Sequence, residues 1–373
     1  MTPSRLLLLG AVVLVLAAWW WAGADRAGIE PARQFTAEQI AHAERYQTPR
    51  QVAYAVGTVL TLAVLAVLAF TPAGDRLLAP ARRWPWPLGA IGAVAVVSLV
   101  LAAIRLPLSF WRGLLYERRW GFSTQTAAGW FGDWAKGLGI TIAISGLAFI
   151  GFVFVVRALP RAWPVAAAAG AAVLTVALSF LSPVLIEPVF NRFQPLPDRA
   201  LAAELRELSV RAGVPVRDVL VADASRRTTK ENAYVSGFGT TRRLVLYDTL
   251  LRRASPEEVR VVAAHELGHR RLRHVEAFTA VGALGAAATV LVLWLLLRSA
   301  GVLAAARAQG PADPRVLPFL VLAVTVMALV AQPASNRLSR AVETAADRFA
   351  LELTGERAAY VDTERGLALR NLA

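Results

Sequence analysis

Residues 255–297 read SPEEVRVVAAHELGHRRLRHVEAFTAVGALGAAATVLVLWLLL, and three signals in that stretch decide the fold. The first is Ser255-Pro256-Glu257-Glu258, a Ser-x-x-Glu capping box with proline at the first helical position, which predicts a helix start. The second is His265-Glu266-Leu267-Gly268-His269, about two to three turns into that helix and preceded by Val261, Val262, Ala263 and Ala264. Positions i and i+4 of a helix lie one above the other, so His265 and His269 can hold one metal ion while Glu266 reaches the water on it. The third is the apolar run 278–297, long enough to cross a bilayer. No proline or glycine cluster separates the histidines from that run. One helix is therefore expected to pass through Arg270 and His274 into the membrane, placing the metal near the bilayer surface.

The rest of the chain extends this picture. It has 373 residues, 56% of them hydrophobic, with a mean hydropathy of +0.50, beyond the range of a typical soluble domain. Seven nearly charge-free runs account for the excess: 6–21, 52–70, 86–104, 138–156, 163–186, 278–297 and 316–331. The expected fold is a mostly α, polytopic membrane protein with about seven transmembrane helices. Residues 5–24 also resemble a cleavable signal peptide, with Arg5, an apolar stretch and Ala22-Gly23-Ala24. A retained first span is preferred because more spans of the same character follow.

A net charge of +14 is compatible with nucleic-acid binding. The arginines, however, flank the apolar runs, as membrane topology requires, and no basic strip carries interleaved aromatics. Lipid and a peptide or protein are the expected partners, and nucleic acid is not. Near-absence of ionisable residues inside the spans argues against a transporter. With no cysteine, the chain can offer a metal only imidazole and carboxylate as strong ligands.

Residues 187–275 form the longest polar segment. Residues 198–212 read as an amphipathic helix with Leu201, Leu205 and Leu208 on one stripe, and 216–222 as a strand. Residues 232–236 and 242–247 flank Gly237-Phe238-Gly239-Thr240, the pattern of a β-hairpin. A small α+β zinc-protease domain carrying a hairpin is expected here.

Two histidines do not complete a catalytic zinc site, which needs a third protein ligand and an open position. No histidine follows His274, so the third ligand is a carboxylate. Glu343 and Asp347, four residues apart on a helix after the seventh run, are the best pair: Glu343 to ligate, and Asp347 to bond the free ring nitrogen of a ligand histidine. Glu276 and Glu352 lack such a partner. His274 lies too far along the helix to share the metal face and reads as a membrane-interface residue; His42 has no supporting cluster. The arrangement is the H-E-x-x-H pattern of zinc metalloproteases, with Zn2+ activating water and Glu266 as the catalytic base.

Several ordered motifs together resemble the CAAX prenyl protease type of integral-membrane zinc metallopeptidase. HELGH is similar to its catalytic helix, and Ser339-Arg340-x-x-Glu343-x-x-Ala346-Asp347 to its third-ligand segment. YERRWGFSTQT at 116–126 resembles its loop between spans three and four. PVFNRF at 188–193, KENAY at 230–234 and LYDTL at 246–250 resemble the entry to its catalytic domain and its hairpin. The resemblance implies seven helices enclosing a membrane chamber with zinc at its cytosolic end. It also implies a substrate lying as an added strand near Asn232, Ala233 and Tyr234.

Two regions are expected: 1–186, an N-terminal transmembrane region of five helices, and 187–373, a zinc metalloprotease region including helices six and seven. The implied function is a membrane-embedded zinc endopeptidase acting on peptide or CAAX-like lipidated protein substrates. It would be multi-pass in the cell membrane, with Arg192, Arg270, Arg271 and Arg273 tipping the site toward the cytoplasm. The His-Pro and following Glu-Arg segment that the family usually carries is not found before Ala373, which leaves a catalytically impaired scaffold as an alternative. A heat-shock type quality-control protease shares the zinc motif but normally has fewer spans.

Overall fold

The computed structural model describes residues 34–372, and its architecture is mostly helical with one small sheet. In chain order the helices of the first half are α1 (Ala37–Phe70), α2 (Pro72–Arg83), α3 (Trp86–Phe110), α4 (Tyr116–Arg119), α5 (Ala127–Ala158), α6 (Trp163–Leu185) and α7 (Glu187–Phe190). The second half contains β1 (Phe193–Pro195), α8 (Arg199–Arg211), β2 (Asp218–Ala222), β3 (Ala233–Ser236), β4 (Arg243–Tyr247), α9 (Asp248–Leu251), α10 (Pro256–Arg271), α11 (His274–Leu297), α12 (Ala300–Ala305), α13 (Leu317–Thr354) and α14 (Arg357–Asn371).

Six helices among the described residues are long and apolar enough to cross a membrane. They correspond to the second to seventh apolar runs; the first run, 6–21, and its signal-peptide alternative lie outside the described residues. The six touch in the closed circuit α1–α3–α5–α6–α11–α13–α1. Their buried side chains concentrate at one end of that circuit. There Leu65, Ala93, Val94, Val153, Leu293, Val316 and Phe319 form one apolar cluster.

A second cluster lies under the sheet, where Leu205, Leu208, Leu244, Leu246, Ala263, Ala264, Leu267 and Ala350 are essentially inaccessible. The sheet order is β1-β2-β4-β3, with β2 and β4 parallel and the other neighbours antiparallel. The expected hairpin is thus β3–β4, and β3 is a free edge. Its turn holds Gly237 at φ +81, where a Cβ would lie 2.3 Å from the Thr241 carbonyl oxygen; only glycine fits such a turn.

The 116–126 loop joins the two halves. Ser123 and Thr228 form a β-bridge, and the Thr229 N–H donates to the Phe122 carbonyl at 3.1 Å. Beside them the Tyr46 hydroxyl donates to Glu117 at 2.8 Å, and the Lys230 ammonium donates to that hydroxyl at 2.6 Å and pairs with Glu117 at 3.2 Å. The loop motif is therefore a clasp. It fixes the approach to β3, and its partner in the second half is the segment just before Asn232.

The expectation of an unbroken helix from the histidines into the membrane is corrected. α10 stops at Arg271, Arg273 adopts a left-handed conformation at φ 57, and α11 starts afresh at His274. Such a conformation costs a non-glycine residue of order 1–3 kcal/mol, so it persists only where the surroundings hold it.

Candidate active site

α10 starts as its sequence dictates. The Ser255 hydroxyl accepts from the Glu258 N–H at 3.2 Å and the Glu258 carboxylate accepts from the Ser255 N–H at 2.7 Å, satisfying two end donors of the helix. Val259, Val261, Ala263, Ala264 and Leu267 are buried, leaving His265, Glu266 and His269 half-buried along one side. Gly268 lets α13 come close: a Cβ there would meet Phe349 at 3.0 Å and the Ala346 carbonyl oxygen at 3.3 Å. That approach brings Glu343 and Asp347 to the histidines.

His265 Nε2 and His269 Nε2 are 3.1 Å apart, and Glu343 Oε2 lies 3.4 and 3.6 Å from them. Ligands at the usual Zn–N and Zn–O lengths of about 2.0–2.1 Å sit roughly 3.3 Å from one another around a tetrahedron. The three atoms therefore fit a tetrahedral metal with one open position, and they are the cluster of metal-ligating groups found among the described residues. His265 Nδ1 is 2.9 Å from Asp347 Oδ1, so a proton on Nδ1 donates to the carboxylate and Nε2 keeps its lone pair for the metal.

His274 is placed differently from the sequence expectation. The kink at Arg273 folds it back, so that its Nδ1 lies 3.0 Å from His269 Nδ1. It is thus to His269 what Asp347 is to His265, and a straight-helix reading could not find it because the kink has no glycine or proline to announce it.

Electrostatics suit a cation. Burial, with Glu343 nearby, pushes the Glu266 carboxyl up to about 7 against the pull of His265 and Arg270. Burial, with His265 and His274 as neighbours, pushes His269 down to about 4, keeping its ring neutral and able to ligate. Burial lowers His265, but its hydrogen bond to Asp347 and the acids Glu266, Asp347 and Glu343 outweigh that and raise it. Burial and then Asp347 raise Glu364, a further acid in the cleft that no sequence spacing tied to the motif. Carboxylates crowded this closely repel one another until a positive charge joins them.

The cleft around these groups has a volume of about 390 Å³ and is also lined by Asn232, Ala233 and Asn371. Asn232 and Ala233 therefore lie beside the histidines and Glu343. Tyr234 turns away: its hydroxyl donates to Glu187, the first residue of α7, at 3.2 Å.

A histidine pair on one helix, a carboxylate from a second and a glutamate between them, beside a free strand edge in a polytopic helical protein, define a membrane metallopeptidase. Comparison with known proteins agrees. The model described as Peptidase family M48 matches residues 195–369, and that described as CAAX prenyl protease N-terminal, five membrane helices, matches residues 30–192. An uncharacterized metalloprotease, YhfN of Bacillus subtilis, is 30% identical over 352 residues, covering 92% of this chain and 82% of its own. The CAAX prenyl protease 1 homolog of Arabidopsis thaliana is 32% identical over 257 residues, 66% of this chain and 59% of that protein. The crystal structure of S. mikatae Ste24p shares the fold, with a TM-score of 0.79 at 20% identity over 99% of this chain and 92% of that one. The chain belongs to peptidase family M48, a family of metalloproteases. It is a multi-pass membrane protein, and its family implies a metal cofactor.

Proposed function

We propose that this metalloprotease is a zinc endopeptidase in which His265, His269 and Glu343 hold the metal and Glu266 is the catalytic base. The observation that carries the reading is the convergence of two ring nitrogens and one carboxylate oxygen within 4.8 Å, in the same cleft as Glu266 and the β3 edge. When bound, zinc supplies a Lewis acid that brings the pKa of a coordinated water toward about 7. Glu266 takes the proton as the water oxygen attacks the peptide carbonyl, then delivers it to the departing amine nitrogen. Asp347 holds His265 in the ligating tautomer. Substrate backbone pairs with the edge at Ala233, beside the side chain of Asn232, a mode that demands little of its sequence; Tyr234 contributes by holding the strand to Glu187.

The division at residues 186 and 187 separates the N-terminal transmembrane region from the metalloprotease region, which includes the last two spans. Arg192, Arg270, Arg271 and Arg273 favour a site facing the cytoplasm from the cell membrane. Substrates are peptides or proteins, and the named relatives support lipidated, CAAX-like ones. Purified protein in detergent, given matched farnesylated and unmodified peptides, tests this. Internal cleavage that a chelator abolishes and zinc restores is expected, faster for the farnesylated form. No cleavage of either peptide by zinc-loaded protein would overturn the reading.

A further inference from the structure

The outward edge of β3 is closed at two points and offered between them. Backbone groups of a strand alternate in direction, so in an antiparallel pair every second residue points both its N–H and C=O at its neighbour. The Tyr247 N–H donates to the Asn232 carbonyl at 3.0 Å, and the Thr249 hydroxyl donates to the Lys230 carbonyl at 2.7 Å. Residues 230, 232 and 234 therefore face β4, and Glu231, Ala233 and Val235 face the free edge and the cleft.

At one end Asn371, the last residue of α14, takes both groups of Glu231. Its Oδ1 accepts from the Glu231 N–H at 3.1 Å, and its Nδ2 donates to the Glu231 carbonyl at 3.1 Å. One side-chain amide thus reproduces the two bonds that an added strand would make. The contact is held by an ion pair: the fully buried Glu231 carboxylate lies 2.8 Å from the Arg370 guanidinium. At the other end Arg270 donates twice to the Val235 carbonyl, at 3.2 and 2.9 Å. Between them the edge offers the backbone of Ala233, whose N–H now donates to its neighbour Asn232 Oδ1 at 3.0 Å, and the N–H of Val235.

We infer that Asn371 and Arg270 are specificity-determining stops that bound the register of a substrate strand on β3; the inference rests on the endopeptidase reading above. Glu231 and Val235 are four residues apart, a distance of roughly 13 Å along an extended chain. An added strand meets the Asn371 amide at one end and the Arg270 guanidinium at the other, with its central residue opposite Ala233. The stops therefore select substrates by how far the chain continues along the edge from the bond that is cut, and no side-chain pocket is needed for that.

The test uses the full chain in detergent, loaded with zinc, and peptides that share one core sequence and are lengthened a residue at a time at either end. Products are identified by mass and kcat/KM is measured at each length. Wild type should show a drop in kcat/KM past a set length at each end. Asn371→Ala should shrink that drop at one end by about tenfold, the worth of one to two recovered backbone hydrogen bonds. Arg270→Met should do the same at the opposite end. Asn371→Asp, which keeps the acceptor for the Glu231 N–H and loses the donor, should fall between wild type and Asn371→Ala. A loss of rate that is equal at all lengths, in variants that still cleave, means a merely structural role and overturns the inference. If wild type cleaves none of the peptides, the endopeptidase reading itself falls and takes the inference with it.

Discussion

The two packed ends of this protein are built on opposite principles. Far from the metal site the spans meet in an apolar cluster where Leu65, Ala93 and Val316 are wholly buried. Its polar ties lie around it, such as Arg315 with Asp313 at 2.7 Å and Arg307 with Asp75. Around the cleft the apolar cluster beneath the sheet is only a platform. What matters there is set by directed bonds: His265 to Asp347, His269 to His274, Asn371 to Glu231, and Lys230 to Tyr46 and Glu117. The first end depends on shape and should lose stability when altered. The second depends on orientation and should lose chemistry while the fold survives.

That contrast can be broken or sharpened by substitution, ranked by effect on the metal. Glu343→Ala removes a ligand and should leave the purified chain without stoichiometric metal, read by elemental analysis, with peptide cleavage at background. Asp347→Asn keeps the shape of the side chain but not its charge, and should cost about 10–100-fold in metal affinity or activity, as loss of a ligand's supporting partner usually does. His274→Ala should cost less than Asp347→Asn, because a neutral ring steadies His269 less than a carboxylate steadies His265; competition with a zinc indicator measures both. Leu65→Ala should leave metal content unchanged. It should lower thermal stability in detergent by an amount near the lower end of about 2–5 kcal/mol, since lipid gives an apolar side chain less reason to be buried than water does. Metal loss in Leu65→Ala at full folding would erase the distinction between the two ends.

What the sequence made legible was local. Ser255 and Glu258 announced the start of α10 because a capping box is a four-residue signal, and Gly237 marked a turn because its φ admits little else. The second to seventh apolar runs became helices long enough to span a membrane, since length and composition suffice for that. Glu343 and Asp347 were findable through elimination and helical spacing, with no cysteine and no later histidine to compete. The unforeseen features all depend on chain folding back. His274 reaches His269 through a left-handed Arg273 that nothing in the sequence marks. Asn371 reaches Glu231 across 140 positions, and the 116–126 motif finds its meaning as a clasp only once it meets residues 225–230. Glu364 enters the cleft by the packing of α14, for which no motif spacing exists.

The central claim, that one metal is held by His265, His269 and Glu343 while Glu266 performs the proton transfer, is tested most directly by Glu266→Gln measured beside wild type. Glutamine preserves size and hydrogen bonding but cannot take a proton. One zinc per chain is expected in both proteins, with a fall in peptide cleavage of about 10²–10⁴-fold or more in the variant. Cleavage at the wild-type rate by zinc-loaded Glu266→Gln would contradict it.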